Sequence, residues 1–166
     1  TGWRELNRDC VRDPALHDVL QLADVNSPWT VGGYRSPVQA RRHGDTTWRA
    51  DLQWCAQRNL DFLPVVFPGF SWHNMYGREF DGVPRLKGKF LWSQFVAAKS
   101  AGAGMIYVAM FDEVDEGTAI FKCTSDVPVG DGATFVTFEG LPGDYYLRLT
   151  GQGAKFLRGE ISSEQP

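Results

Sequence analysis

The sequence predicts an α/β protein with a parallel sheet. Helix-like and strand-like segments alternate along the 166 residues, and the strand-like segments are short apolar runs. Runs of this kind are typical of strands covered on both faces, and right-handed βαβ units supply that cover with helices. Hydrophobic residues make up 43% of the chain and charged residues 22%, as in folded globular domains.

The first elements are expected to be a helix, a strand and a loop. Residues 13–22 predict a helix, because Pro14 suits a first turn and apolar residues recur on one face. Residues 24–29 predict a short strand. The segment 30–44 is interrupted by proline and glycine, which indicates a loop.

A second helix and a second strand are expected to follow. Residues 47–58 predict a helix with Thr46 or Thr47 as its N-cap. Residues 60–67 form an apolar run that ends before Pro68 and predict a buried strand. The polar, glycine-containing segment 70–89 predicts a loop.

The last part of the chain predicts two helices and two strands. Residues 90–100 predict a helix that glycines terminate, and 105–111 are the clearest buried strand. Residues 133–138 predict a further strand, and 144–149 a helix that ends before Gly151.

The expected strands number about four. A closed (β/α)8 barrel takes roughly 250 residues, with 200 as a practical minimum. The 166-residue chain is therefore expected to be either a small open sheet or the second half of a barrel whose first half is absent.

Charge and hydropathy exclude several classes of function. The net charge is −3 and no block of basic residues exceeds the pair Arg41-Arg42, so a nucleic-acid footprint is missing. No apolar run approaches the length of a membrane span. The three cysteines and three histidines form no zinc or disulfide motif, and no phosphate-binding glycine motif is present, so no zinc site and no cofactor are expected.

The segments that follow the predicted strands are expected to share one rim, because active sites of parallel α/β folds lie at the carboxyl ends of the strands. Candidate sugar-stacking aromatics there are Trp29, Tyr34, Phe70 and Trp72. Candidate polar contacts on the same rim are Arg35, His73, Asn74 and Arg85; for His73 a structural role and for Arg85 an exposed surface position are the alternatives.

Four carboxylates follow the clearest strand within five positions: Asp112, Glu113, Asp115 and Glu116. Like charges this close raise each other's pKa, so one carboxyl can stay protonated while a neighbour is ionised. Glycoside hydrolysis uses this division of labour. Catalysis, a solvated acidic turn and a hard-cation site all remain open from the residues alone.

Residues 110–118 read Met-Phe-Asp-Glu-Val-Asp-Glu-Gly-Thr. They resemble the Phe-Asn-Glu-Trp-His-Glu-Gly-Thr signature of glycoside hydrolase family 99, the endo-α-mannosidases. Segments 27–32, 67–74 and 84–92 resemble the family 71/99-like proteins that are often labelled xylosidase or arabinosidase. The resemblance implies that residues 1–166 are one partial (β/α)8 domain, the C-terminal half with about the last four βα units.

The resemblance implies a retaining hydrolase of polysaccharides or glycans that needs no cofactor. Glu116 would be the acid/base at the glycosidic oxygen, and Glu113 would remove the proton of the sugar 2-hydroxyl. The sequence departs from the family signature at Asp112, where the family has Asn, and at Val114-Asp115, where it has Trp-His. An extracellular or periplasmic location follows from this substrate class.

Two other interpretations stay open. The chain could be a non-catalytic carbohydrate-binding protein that keeps the rim residues. It could also be an inactive half-barrel, completed by a missing N-terminal half or by self-association through an open sheet edge.

Overall fold

Short parallel strands lie among helices in the computed structural model, which describes residues 2–127, 130 and 132–162. The alternation of helices and strands agrees with the predicted α/β class. In chain order the elements are α1 (Ala15–Leu20), β1 (Val25–Asn26), α2 (Pro37–His43), a π-helical turn (Gly44–Trp48), α3 (Arg49–Ala56), β2 (Asp61–Phe62), β3 (Val65–Val66), α4 (His73–Tyr76), a 3-10 turn (Leu86–Gly88), α5 (Lys89–Ala101), β4 (Tyr107–Val108) and α6 (Tyr145–Leu157).

The predicted strand over residues 60–67 is split in two at Pro64. β2 pairs in parallel with β1, and β3 pairs in parallel with β4. The backbone N–H groups of Asp61 and Leu63 bond toward β1 at 2.9 Å each. The carbonyls of Pro64 and Val66 accept hydrogen bonds from the β4 side at 2.9 and 2.8 Å. Residues 61 and 63 thus bond to β1 on one side and residues 64 and 66 bond to β4 on the other. The segment that contains β2 and β3 therefore lies between β1 and β4.

A side chain of α5 ends the β3 ladder. Gln94 is fully buried, and its Nε2 donates to the Phe67 carbonyl at 2.7 Å while its Oε1 accepts from the Phe67 N–H at 3.0 Å. The same Oε1 accepts the Tyr34 hydroxyl at 2.9 Å. One amide therefore satisfies both backbone groups of Phe67, which would otherwise be buried without partners.

Helix α2 replaces part of the predicted loop over residues 30–44. Its N-cap is Ser36, whose hydroxyl accepts the Gln39 N–H at 3.2 Å, with Pro37 at the first helical position. The predicted start of a helix at Thr46 or Thr47 is wrong, because the helical backbone runs on through Gly44. A Cβ at Gly44 would lie 2.9 Å from that of Ala97 in α5, so glycine is needed for this close approach.

Helices α5 and α6 pack against each other and enclose the aromatic core. The predicted α5 is confirmed, and nine of its residues are buried. α6 is longer than predicted and continues through Gly151 and Gly153. A Cβ at Gly153 would lie only 2.3 Å from the Phe95 ring, so this glycine lets the two helices approach. Each helix has 13 residues, and no helix of the described chain is long and apolar enough to cross a membrane.

Two strand predictions need correction. Among the described residues of 133–138 there is no strand, and Ala133 forms only an isolated bridge with Gly130. The β4 region is a strand, but it is not buried on both faces: Met105 is 41% and Tyr107 37% exposed, whereas Ala109 is fully buried. Met105, Tyr107 and Ala109 share one face of the strand, which is thus partly exposed as far as residue 107 and buried at residue 109, while Ile106 and Val108 on the other face are half-buried.

Candidate active site

The acidic segment after β4 is a closed loop rather than an extended tail. The Met110 N–H donates to the Thr118 carbonyl at 3.2 Å, and the N–H groups of Thr118 and Ala119 both donate to the Glu113 carbonyl. These bonds reverse the chain at the carboxyl end of the strand. As a result Glu113 is exposed and Glu116 is half-buried.

The carboxyl groups of this loop raise each other's pKa. The charge of Asp115 is the main cause of the raised pKa of Glu113, followed by slight desolvation, a hydrogen bond with Asp115 and the charge of Asp112. Burial is the main cause of the raised pKa of Glu116, followed by the charges of Glu113 and Asp115. The loop therefore holds one exposed and one half-buried glutamate, both more easily protonated than usual.

The loop after β3 is bonded to the acidic loop. The Ser71 N–H donates to the Glu116 carbonyl at 2.7 Å. Asn74 Nδ2 donates to the carbonyls of Asp115 at 3.0 Å and Thr134 at 3.1 Å, and its Oδ1 accepts the Thr134 N–H at 3.0 Å. Asn74, predicted as a sugar contact, thus joins three chain segments beside the carboxylates.

Arg85 is buried, which corrects the alternative that it is a surface cation. It is 1% exposed, and its Nη2 donates to the carbonyls of Gly117 and Ala119 at 2.9 and 2.8 Å. Its guanidinium lies over the rings of Phe138 and Tyr146, at 4.8 and 4.4 Å. Burial lowers the pKa of Arg85. Arg85 therefore holds the end of the acidic loop through its backbone carbonyls, from the buried side, and does not face solvent.

Trp72 and Arg35 lie together, with the indole partly covered. The Arg35 guanidinium lies 4.8 Å from the ring centre and also pairs with Glu79 at 3.3 Å. A Cβ at Gly32 or at Gly82 would come within 2.9 Å of the indole. Trp72 is consequently half-buried, with glycines at its edges and an arginine over its face.

Three residues predicted for the rim have mainly local or core contacts. Tyr34 and Phe70 are 5% and 7% exposed, so both pack in the core and the prediction of a rim position for them is wrong. The apolar packing of these rings outweighs their place in a loop. His73 begins α4, and its Nδ1 lies 3.2 Å from the Arg78 carbonyl.

Trp29 is 51% exposed and lies beside an aromatic residue that the sequence analysis did not select. Its ring centre is 6.4 Å from that of Tyr107 on β4. The Tyr107 hydroxyl donates to Met110 Sδ at 3.3 Å. The apolar run around residue 107 predicts a core position, whereas the Tyr107 side chain is 37% exposed in the structure.

A cavity of 270 Å³ lies on one side of the acidic loop, but its walls suit apolar groups. Val114 forms part of it, together with Phe135, Val136 and Phe138. Sugar rings need hydrogen-bond partners for their hydroxyls, which this mostly apolar lining supplies only at Arg85, Thr124 and Thr137. The described residues also contain no group of three or more His, Cys, Asp or Glu side chains arranged to hold a metal ion.

Parallel βα units that present paired carboxylates beyond a strand end are the layout of part of a glycoside hydrolase barrel. No family model matches the chain. It is 27% identical over 119 residues to a glycoprotein endo-alpha-1,2-mannosidase-like protein of Danio rerio, with 68% of this chain and 25% of that protein covered.

Two solved structures of the GH99 endo-alpha-mannosidase from Bacteroides thetaiotaomicron are also similar. Each has a TM-score of 0.60 and 28% identity and covers 70% of this chain, but only 36% and 34% of the other chain. The predicted resemblance to glycoside hydrolase family 99 is confirmed. The chain spans about a quarter to a third of the length of these relatives.

Proposed function

We propose that this chain is part of a glycoside hydrolase that uses Glu113 and Glu116 as its catalytic pair. The single observation that supports this most is the acidic loop after β4, where the charge of Asp115 chiefly raises the pKa of Glu113 and burial chiefly raises that of Glu116. The likeness to family 99 enzymes supports the same reaction class.

In the proposed mechanism the half-buried Glu116 is the acid/base. Burial favours its protonated form, which can donate to the glycosidic oxygen as that bond breaks. The exposed Glu113, in its ionised form, takes the proton of the sugar 2-hydroxyl, whose oxygen then attacks the anomeric carbon. Water opens the resulting intermediate at the anomeric carbon with Glu116 now acting as base, and Glu113 returns its proton to the 2-oxygen, so the anomeric configuration is retained and both carboxyls regain their starting states.

Side chains around the loop are proposed to bind the sugars. Trp29 supplies the most exposed indole, and the uncovered Tyr107 beside it extends the same aromatic surface. The other proposed contacts, in chain order, are Arg35, Trp72, His73, Asn74, Asp112 and Asp115. Arg85 leaves this group, because its guanidinium is buried against the loop backbone.

The proposal places residues 1–166 as the C-terminal half of a (β/α)8 barrel. The partial coverage of the solved relatives and the partly exposed face of β4 that carries Met105 and Tyr107 support it. An N-terminal half, or a second copy of the chain, would cover that face. A carbohydrate substrate and an extracellular or periplasmic site of action belong to the same proposal and are supported by the substrate class alone.

The test is hydrolysis of a glycan panel that includes α-1,2-linked mannans, measured as released reducing ends. Glu113→Gln and Glu116→Gln are each expected to lower turnover about 10²–10⁴-fold while leaving sugar binding intact. Glu160→Gln, at an exposed glutamate paired with Arg158, is the matched control and should keep full turnover.

The second candidate is a carbohydrate-binding protein without turnover. The exposed Trp29–Tyr107 pair favours it, because such a surface binds sugars without any chemistry. In that case no glycan of the panel is cleaved, both glutamine variants bind sugar as the unchanged chain does, and Trp29→Ala removes binding.

A further inference from the structure

A strongly basic cavity lies beside the predicted sugar-stacking residue Trp29. The cavity has a volume of 500 Å³ and is lined by Arg8, Arg35, Arg42 and His43, with threonine and glutamine side chains between them. This volume falls within the range of about 300–1,000 Å³ that is typical of small-molecule sites. Three arginines around one cavity are unexpected in a chain whose net charge is −3.

Two of the three arginines form no ion pair within the described residues. Arg35 pairs with Glu79 at 3.3 Å, but within the described chain no carboxylate forms an ion pair with Arg8 or Arg42. His43 also lines the cavity, and its buried Nε2 has no hydrogen-bond partner in the described part of the chain. The cavity thus offers two free guanidinium groups and one free imidazole nitrogen.

A second cavity of 320 Å³ continues this one toward Trp29. The two share Arg8, Gly33 and His43, and the second adds Trp29 and Asp9. The Asp9 carboxylate accepts the Gly2 N–H at 3.0 Å. Trp29 therefore lies at one end of a continuous groove and Arg42 at the other, with Arg8 between them lining both cavities.

We propose that this groove binds a glycan bearing an anionic substituent, with a sugar ring against Trp29 and the anionic group between Arg8 and Arg42. An ester sulfate, a phosphate or a carboxylate has the required charge, and guanidinium groups bind all three through paired hydrogen bonds. The choice of a glycan rests on the proposed function, whereas the choice of an anion rests on the arginines alone.

His43 provides a readout for an anion bound in the groove. Burial is the main cause that lowers the pKa of His43 to about 4, and nearby positive charges, that of Arg8 among them, contribute to the same shift. The groups that face the imidazole are Arg8 in the groove and the rings of Tyr34 and Trp48, at 4.9 and 5.2 Å. An anion bound beside Arg8 would offset that positive charge and raise the pKa of His43.

The experiment is calorimetric titration of the whole chain with glucose 6-sulfate, glucose 6-phosphate, glucuronate, glucose and inorganic sulfate. At least one charged sugar is expected to bind at least about tenfold more tightly than glucose, and the tightest identifies the substituent. Arg42→Gln and Arg8→Gln should each weaken that binding about tenfold. Arg41→Gln, on the same helix but outside the groove, is the matched control and should leave binding within about twofold.

Three outcomes would overturn the anion site. They are equal binding of glucose and the charged sugars, equal weakening by Arg41→Gln and Arg42→Gln, and no charged-sugar binding up to about 10 mM. A rise in the pKa of His43 on binding, followed by NMR, confirms the location; an unchanged pKa rejects it. None of these readouts needs turnover. If inorganic sulfate binds as tightly as the charged sugars, the ligand is an anion and not a glycan. The proposed roles of Glu113 and Glu116 are then tested separately, by the hydrolysis experiment.

Discussion

The backbone N–H of Ser71 and the carbonyl of Glu116 are joined by a 2.7 Å hydrogen bond, so the loops after β3 and β4 are held as one surface. Asn74 adds a bond to the Asp115 carbonyl from the same side. The position of the carboxylates therefore depends on the neighbouring βα unit as well as on their own loop.

Asp115→Asn is expected to lower the pKa of both glutamates of the loop. The Asp115 charge is the main cause of the raised pKa of Glu113 and one of the causes for Glu116. Carboxyl NMR titration measures both values without any need for turnover. Asp112→Asn should lower the pKa of Glu113 less and leave that of Glu116 unchanged. An equal effect of the two substitutions would contradict the order of causes.

Arg85→Met is expected to loosen the acidic loop selectively. Two carbonyl partners lose their donor, so we expect the amide protection of Ser71 and Thr118 to fall about tenfold or more relative to α5 amides. Hydrogen exchange checks this. Arg58→Met is the matched control, because Arg58 also stacks on an aromatic ring, at 3.9 Å from that of Trp54, but away from the loop. A uniform fall in protection throughout the chain would mean that Arg85 only stabilises the core.

Asn74→Ala should lower the free energy of unfolding by about 1–2 kcal/mol, because it removes hydrogen bonds to two carbonyls and one N–H. Urea unfolding gives the value. Asn74→Asp should cost at least as much, since a carboxylate cannot donate to those carbonyls and adds a charge beside Asp115. Gln53→Ala, at an exposed position of α3, serves as the control and should change stability little.

Gly153→Ala is expected to destabilise the protein by about 1–3 kcal/mol, because the added methyl would overlap the Phe95 ring. Gly151→Ala, two residues earlier in the same helix, has no atom within 4 Å of the new methyl and should stabilise by about 0.5–1 kcal/mol. Thermal unfolding of the two variants, each compared with the unchanged chain, measures both changes in stability. Destabilisation by both changes would argue against the close contact of α5 and α6.

Asp51→Asn should remove a pH dependence of stability between about pH 4 and pH 6. Burial raises the pKa of Asp51 to about 6 despite its 2.9 Å bond with Arg4. The folded state therefore binds the proton more tightly than the unfolded state, and the free energy of unfolding falls as the pH rises through this range.

We expect Asp51 to account for about 1–3 kcal/mol of that fall, measured by urea unfolding at several pH values. Asp45→Asn, at a 65% exposed carboxylate one turn and a half earlier, should keep the slope of the unchanged chain. If the free energy of unfolding of the Asp51 variant keeps the pH dependence of the unchanged chain, the Asp51 carboxyl is not the cause of that dependence.

Patterns local in sequence predicted β1, α5 and the strand before the acidic loop. The mistakes fall where distant residues decide. Glycine commonly ends a helix, yet Gly44 and Gly151 both lie within helical backbone. Only the close approach of Ala97 explains why position 44 is a glycine. The alternating segment 133–138 has β propensity, but the described chain offers it no partner strand, and Phe138 packs on Tyr146 instead.

The candidate site was predictable in part for the same reason. Glu113 and Glu116 stand out because four acids follow a strand end. The burial of Arg85 and Tyr34 could not be read from the sequence, since each depends on partners tens of residues away. The exposure of Tyr107 depends on which distant segments pack against β4, and a pattern local in the sequence contains no information about them.

The amide of Gln94 sets where the central strand stops. By taking both backbone groups of Phe67, it releases the chain from the sheet at that residue with no polar group left unpaired. The strand length is thus fixed by a helix side chain and not by a neighbouring strand. Because Gln94 belongs to α5, this helix sets the point at which the chain leaves the sheet and turns toward the contact of Ser71 with Glu116. Insertion or deletion of one residue in α5 before Gln94 would therefore displace the segment that supports the carboxylate loop.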